Sequence, residues 1–358
     1  MLLEYKKYLI RSFCVNIVKI SLVFSIIIII MNLLEEISFL KNFENTIYLS
    51  IKLTLLNLPS VLFEILPFIF LISTIFFFIE ISNYNEIETL KSYGVTNLDI
   101  LGILSAISFF LGVLIIIFFY SISSNLKFIY LETKNLYSKD NKYLSIVTSN
   151  GLWIRDVVDN QLSFINADKI IGDKLINVTI TQYDENFDLK KVISSEEAII
   201  VNKTWELKRL VINSNGNSKK REKLKFKTNY DKDLILSIFE NFSSLSLMEI
   251  SKLKKKYDLL GYNTDKINAY NHKIFSYPIY LTLMTIIGIV LMSNNKKEKS
   301  KWIKIFIGVI ISVVIYYINY FFNVIIETLN VPYIISIWGP LMVLGMIVTL
   351  SLLRLNEK

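Results

Sequence analysis

Few side chains in this chain are of a type and spacing that could carry acid–base or metal chemistry, and they are scattered. A single histidine, His272, and a single cysteine, Cys14, leave no histidine cluster, no cysteine-based metal site and no disulfide framework within one chain. His272 stands beside Lys273 at the edge of an apolar run, with no sequence partner that would make it a general base, and reads as an interfacial polar residue. The acid pairs Glu35–Glu36 and Glu196–Glu197 are adjacent. Neighbouring side chains diverge on a helix or a strand, so both pairs read as solvated rather than catalytic. Glu64 lies between Pro59 and Pro67 in an apolar run, where a carboxylate is costly unless paired or hydrated, and is a functional-site candidate on that ground. Pro67 also frees a carbonyl four residues earlier and can bend a helix. No GxxxxGK[ST] loop cradles phosphates and no GxSxG elbow offers a nucleophile. We therefore expect no catalytic residue, no metal and no cofactor in this chain, and any chemical energy to come from another.

The stretch NEIETLKSYGV (residues 85–95) points instead to docking. Asn85 can cap a helix, acids fall in the first turn, and Gly94 suits a left-handed stop. Glu86, Ile87 and Leu90 share one face. A helix lying on anionic headgroups usually carries Lys and Arg. Here Glu80, Glu86, Glu88 and Asp99 outnumber Lys91, which favours a basic-lined groove on a cytoplasmic partner.

The elements that must hold this stretch are membrane spans. Hydrophobic residues make up 53% of 358 residues and the mean hydropathy is +0.47. Apolar runs of about 20 residues, the length a bilayer requires, recur along the chain. Six spans are expected, at 13–34, 56–80, 100–121, 274–293, 303–325 and 335–353, three on each side of a polar insert. The first is too long and too late for a signal peptide and is expected to be retained, with Lys19 snorkelling from it. Eleven Lys and Arg fall in the short loops and termini of one side (Lys6, Lys7, Arg11, Lys91, Lys296, Lys297, Lys299, Lys301, Lys304, Arg354, Lys358), against Lys41 and Lys52 in those of the other. Both termini and the 82–98 loop are therefore expected in the cytoplasm, and the insert outside. The net charge of +8 fits such lysines and anionic lipid rather than nucleic acid. Within the insert, YLSIVTSN, GLWIRD, QLSFIN, INVTITQY, AIIVNK, WELKRLVI and KLKFKTN are short β-branched and aromatic runs between turn formers. They predict an all-β sandwich, barrel or jelly roll. The resulting division is 1–121 (spans 1–3, with a helix at 85–94), 122–245 (β-domain), 246–273 (helical connector, with a stop at Gly261) and 274–358 (spans 4–6).

NEIETLKSYGV resembles the cytoplasmic loop of the LptF/LptG permease family, whose pattern runs S-E-L-x-x-[LM]-[RKQ]-[AS]-x-G. Asn85, Glu86, Ile87, Leu90, Lys91, Ser92 and Gly94 stand at its positions, with Asn replacing Ser. GLWIRD (151–156) is similar to the family's GLW-x-[KR]-D and leans toward the LptG member. YDEN with KTWEL, HKIFSYPIY (272–280) and LPSVLFEILPF resemble further family segments in the same order, so the resemblance spans nearly the whole chain. It implies a permease subunit that pairs with an LptF-type partner, or is itself the LptF-type partner, on two copies of an LptB-type ATPase that binds the ATP. Such a complex extracts lipopolysaccharide from the Gram-negative inner membrane. It passes the lipid through periplasmic β-jelly rolls to LptC- and LptA-type bridge proteins, for outer membrane biogenesis. Glu86 matches the family's docking acid.

A lipid extractor needs outer-level cations and an apolar cavity. Lys41 and Lys52 flank the outward loop between spans 1 and 2, and are substrate-binding candidates or ordinary interfacial lysines. YYINYFFNVI in span 5 offers Tyr316, Asn319 and Tyr320, with Asn319 and Asn323 four apart. It either lines a cavity or packs through an interhelical hydrogen bond. Where a family lysine falls near the outer end of span 1, this chain has MNLLEE, so headgroup contacts do not carry over residue by residue. Three rival readings are a membrane-anchored periplasmic binding or assembly module with no ATPase, an intramembrane enzyme using Glu64 or His272, and a regulatory permease of the FtsX or MacB type. The last typically has four spans, not six.

Overall fold

The computed structural model describes residues 2–41, 43, 46–83, 86–137, 152–158, 161–171, 173–184, 187–214, 217–231, 235, 241–260, 264–293, 301–328 and 332–356. Six of its helices are long and apolar enough to cross a membrane. In hydrocarbon a helix satisfies its own backbone polar groups, which is why these runs take no other form. Span 1 is α1 (Leu2–Phe39) and span 2 is α2 (Thr46–Asn83). The short α3 (Glu86–Ser92) follows. Span 3 is α4 (Asn97–Leu114), continuing through a π-helical segment (Ile115–Tyr120) into α5 (Ser121–Leu136). After the insert come α6 (Leu247–Leu260), then α7 (Asp265–Ser293), α8 (Lys301–Thr328) and α9 (Tyr333–Asn356), the fourth to sixth spans. Each helix runs past the apolar run that predicted it, because polar flanks continue the backbone ladder outside the membrane. The connector expected at 246–273 is divided: α6 ends at Leu260, and span 4 already begins at Asp265. The expected stop at Gly261 lies outside the described residues.

The chain forms two compact units, Met1–Lys127 with Asn263–Lys358, and Phe128–Tyr262. In the membrane unit α2 and α7 are central. Their most apolar windows are more than half buried, against 17% for α1 and α8. Phe13 of α1 meets Phe70 and Phe77 of α2 edge to face, with centroids 6.4 and 5.8 Å apart. α4 and α7 approach closely at Gly112, where a Cβ would lie 2.7 Å from the Cα of Pro278. One step along the same contact, Ser108 and Thr285 share a buried 2.8 Å hydrogen bond. Small residues allow that approach, and a hydroxyl pair holds it.

α2 runs through Pro59 and Pro67 as one helix. Pro67 removes the donor that the carbonyl of Phe63 would have used. Tyr277 of α7 supplies another, donating its hydroxyl to that oxygen at 2.6 Å while its ring stacks on Phe63.

The β-unit is one antiparallel sheet in the order β1–β2–β3–β4–β5–β6: Leu152–Val158, Gln161–Ile171, Lys174–Tyr183, Leu189–Val201, Thr204–Ser214 and Asn217–Lys227. This is the inserted all-β unit that the sequence predicts. Short connections pair each strand with its successor, so the described strands form a meander without Greek-key crossovers. YLSIVTSN lies outside the described residues.

Two devices close the sheet around its core. The pairing ladder of β2 to β6 is interrupted along one row, at Asp168, Asn177, Glu196, Arg209 and Glu222, and the β3–β4 pair carries a further register shift at Gln182/Tyr183. Asn177 and Arg209 have positive φ (52° and 49°). Across this row the buried positions fall three apart instead of two, as in Leu175 and Val178, Ser195 and Ala198, Leu207 and Leu210. Consecutive outward residues let the strands bend and keep their apolar side chains on the core side. The second device joins the first strand to the chain beyond the last. Asp156 of β1, 2% exposed, accepts from Thr228 Oγ1 (2.6 Å), the Asn229 backbone N–H (3.1 Å) and Asn229 Nδ2 (2.9 Å). Trp205 fills the interior and donates its indole N–H to the Tyr230 carbonyl at 2.9 Å.

Candidate functional site

The polar stretch between spans 2 and 3 is built as a stiff elbow. α3 carries Glu86 and Glu88 in its first turn and Lys91 in its last, both favourable to the helix dipole. It ends in a Schellman motif: Gly94 N–H donates to Lys91 (3.0 Å) and Val95 N–H to Leu90 (3.1 Å), with Gly94 at φ +84°. Val95 is buried and packs in the same cluster as Leu90. The next residue already caps the following helix. Thr96 Oγ1 accepts from the Asp99 N–H (3.1 Å), and the Asp99 carboxylate accepts from the Thr96 N–H (2.8 Å), a capping box. No free linker separates α3 from α4, so a displacement of one is delivered to the other.

The predicted docking residues divide between two faces. Ile87 and Leu90 are half-buried against the membrane-helix core, so they seat α3 on its own chain. Glu86 is half-buried, and one of its oxygens accepts from the Tyr8 hydroxyl at 2.6 Å, which ties α3 to the N-terminal end of α1. Asn85 lies outside the described residues. The open face consists of Glu88, Thr89, Lys91, Ser92 and Tyr93, the last 75% exposed. Sequence reading passed over Tyr93 and Tyr8. Tyr93 was visible as an aromatic beside the stop glycine; Tyr8, 78 residues from its partner, carried no local signal. The Thr96–Asp99 box was legible in its spacing and was also passed over.

A second polar cluster joins α1 to the C-terminal end of α2. Lys19, expected to snorkel from span 1, lies 3.6 Å from Glu80. Asn16, buried, donates to the other Glu80 oxygen at 2.7 Å.

The substrate candidates are dispersed. Lys41 is exposed in the turn after α1, and Lys52 is exposed in the first half of α2. Tyr316 and Tyr320 are exposed on α8, whereas Asn319 hydrogen-bonds Tyr280 of α7 and so serves packing between spans. Among the described residues no hydrogen bond or ring contact joins the two lysines to the α8 group. Lys127 donates to Asn57 at 2.7 Å, a contact between spans 2 and 3 that no spacing predicted.

The remaining polar residues fall as follows. His272 accepts from Trp338 Nε1 at 3.3 Å and lies against the Tyr333 ring. Glu64 is exposed on α2. Glu36 is 1% exposed beside an exposed Glu35, which corrects the expectation that both are solvated: adjacent side chains diverge, and one of the two turns inward. Glu196 and Glu197 are ion-paired to Arg209 at 2.9 and 3.4 Å.

Six apolar helices with an antiparallel sheet inserted between the third and fourth define the class: a multi-pass membrane protein with an inserted β-unit. The family described as lipopolysaccharide export system permease LptF/LptG matches residues 7–354, and the chain belongs to it. No curated protein matches the chain. Membership makes it a permease component of the lipopolysaccharide export system.

Proposed function

We propose that this chain is the LptG-type subunit of an inner-membrane transporter that extracts lipopolysaccharide and passes it to a periplasmic bridge. It has no enzymatic activity of its own. Energy enters through α3, which docks on an LptB-type ATPase dimer that binds the ATP, while an LptF-type permease completes the heterodimer. LptC- and LptA-type proteins receive the lipid from the β-unit. The termini and α3 face the cytoplasm, and the β-unit faces the periplasm.

The observation that carries this reading is the stiff elbow. A helix seated by Ile87 and Leu90, stopped by Gly94 and fused to the capping box of α4 transmits a push rather than absorbing it. The uncovered apolar faces of α1 and α8 support a second membrane partner. GLWIRD supports the LptG assignment.

Co-purification from detergent with LptB- and LptF-type partners tests the proposal. Wild type is expected to bring down the ATPase stoichiometrically, and Glu86→Lys to lose it. Tyr8→Phe, which keeps the acid and removes only its tether, should retain the complex. If wild type recovers no ATPase, the transporter reading has no energy source and fails.

A further inference from the structure

The elbow between α3 and α4 is stiffened from within, by the stop at Gly94 and the capping box at Thr96. The joint on the other side of α3 is held by a different helix. α2 ends at Asn83 and α3 begins at Glu86. Span 1 grips the chain on both sides of that interval. Tyr8 donates to Glu86 of α3 at 2.6 Å. About two to three turns further along α1, Asn16 and Lys19 meet Glu80 of α2. Between the two grips Leu9 and Phe13, four apart on one face and fully buried, share a cluster with Ile81 of α2 and with Ile87 and Leu90 of α3.

The grip on Glu80 is directional. Asn16, 4% exposed, donates its amide twice, to the Ser12 carbonyl at 3.0 Å and to Glu80 Oε2 at 2.7 Å. Its backbone carbonyl accepts from the buried Ser73 hydroxyl at 3.5 Å, so Asn16 is held at two levels of α2. Lys19 reaches the other carboxylate oxygen of Glu80 at 3.6 Å. Snorkelling alone directs a lysine to the membrane surface and asks for no acid on another helix. Here the cation, the amide and the phenol lie on one helix, and the acids they answer lie on two. Lipid solvates apolar side chains nearly as well as a neighbouring span does, so it is hydrogen bonds and close packing that fix one span against another.

We propose that the N-terminal part of α1 is a splint across the joint between α2 and α3, and that Glu80, held by Asn16 and Lys19, is a positioning residue for transport. Through it a displacement of α3 by the ATPase reaches spans 1 and 2 together. The inference rests on the transporter reading above. With the capping box on one side of α3 and the splint on the other, neither joint absorbs the push.

The test reconstitutes the chain with cysteine-free LptB- and LptF-type partners in proteoliposomes containing purified lipopolysaccharide. ATP hydrolysis is measured together with the lipid handed to a soluble LptA-type acceptor. Lys19→Glu and Glu80→Lys, each placing like charges together, are expected to lower lipid released per ATP about tenfold, with hydrolysis itself within about twofold of wild type. The double exchange restores the ion pair with its sign reversed and should recover release to within about threefold. Singles that release normally, or a double no better than the singles, overturn the splint. A second measurement makes its change after folding and assembly. In a Cys14→Ser background, Asn16→Cys with Glu80→Cys is joined by a short reducible bis-thiol reagent. Joining is expected to restore the lipid released per ATP that the unjoined pair has lost, and reduction to remove it again. If joining abolishes release, spans 1 and 2 must slide past each other here, and the splint is wrong. If wild type hydrolyses ATP without releasing lipid, the transporter reading fails and the splint with it.

Discussion

Asp156 shows how much a single carboxylate can organise. It closes GLWIRD, and from sequence it is simply the acid of a family-like motif. In the structure it takes three hydrogen bonds from Thr228 and Asn229, more than 70 residues away, and so joins β1 to the chain beyond β6. Asp156→Ala would leave those buried donors without an acceptor, at a cost of about 2–4 kcal/mol. Amide hydrogen exchange in residues 152–158 and 226–230 is expected to accelerate at least about tenfold, while exchange in α2 stays unchanged. The Tyr8–Glu86 bond teaches the same lesson on the other unit. The acid is legible because it opens a helix between two apolar walls. Its partner is invisible because nothing local links residue 8 to residue 86.

At the scale of elements, local patterns were read most surely where they are strongest. The six apolar runs, the glycine that stops α3 and six of the seven β-branched runs all stand where the sequence placed them. The first half of β6 was missed because SKKRE has no β-branched residue, and cross-strand pairing decides its state. The row through Asn177 and Arg209 was missed because a positive φ in a strand has no reliable sequence mark outside glycine. Span 2 shows how elements complete one another. Pro67 was recognised as freeing a carbonyl and expected to allow a bend, whereas Tyr277 of span 4 satisfies that carbonyl and the helix runs on. Tyr277→Phe keeps the ring stacking and removes the donor. It should cost about 1–3 kcal/mol, read as a drop of several degrees in the detergent melting temperature.

For the whole molecule, orientation is the claim most open to a direct test. In a Cys14→Ser background, Asn213→Cys should react with a membrane-impermeant maleimide on intact spheroplasts. Ser92→Cys should react only after lysis; both sites are exposed. Labelling in the opposite pattern would invert the topology and remove α3 from any cytoplasmic ATPase. The sequence by itself determined the six spans, their three-plus-three grouping, an inserted β-unit and the polar stretch between spans 2 and 3. Each of these is written in composition and period over one or two dozen consecutive residues, where hydrophobic transfer and backbone satisfaction act locally. Only the tertiary structure decided that Ile87 and Leu90 face inward, that Glu86 answers to Tyr8, that Asn319 packs against span 4, and that Glu80 answers to Asn16 and Lys19. Those outcomes depend on which distant side chain occupies the neighbouring position. That is fixed by packing and has no period in the chain.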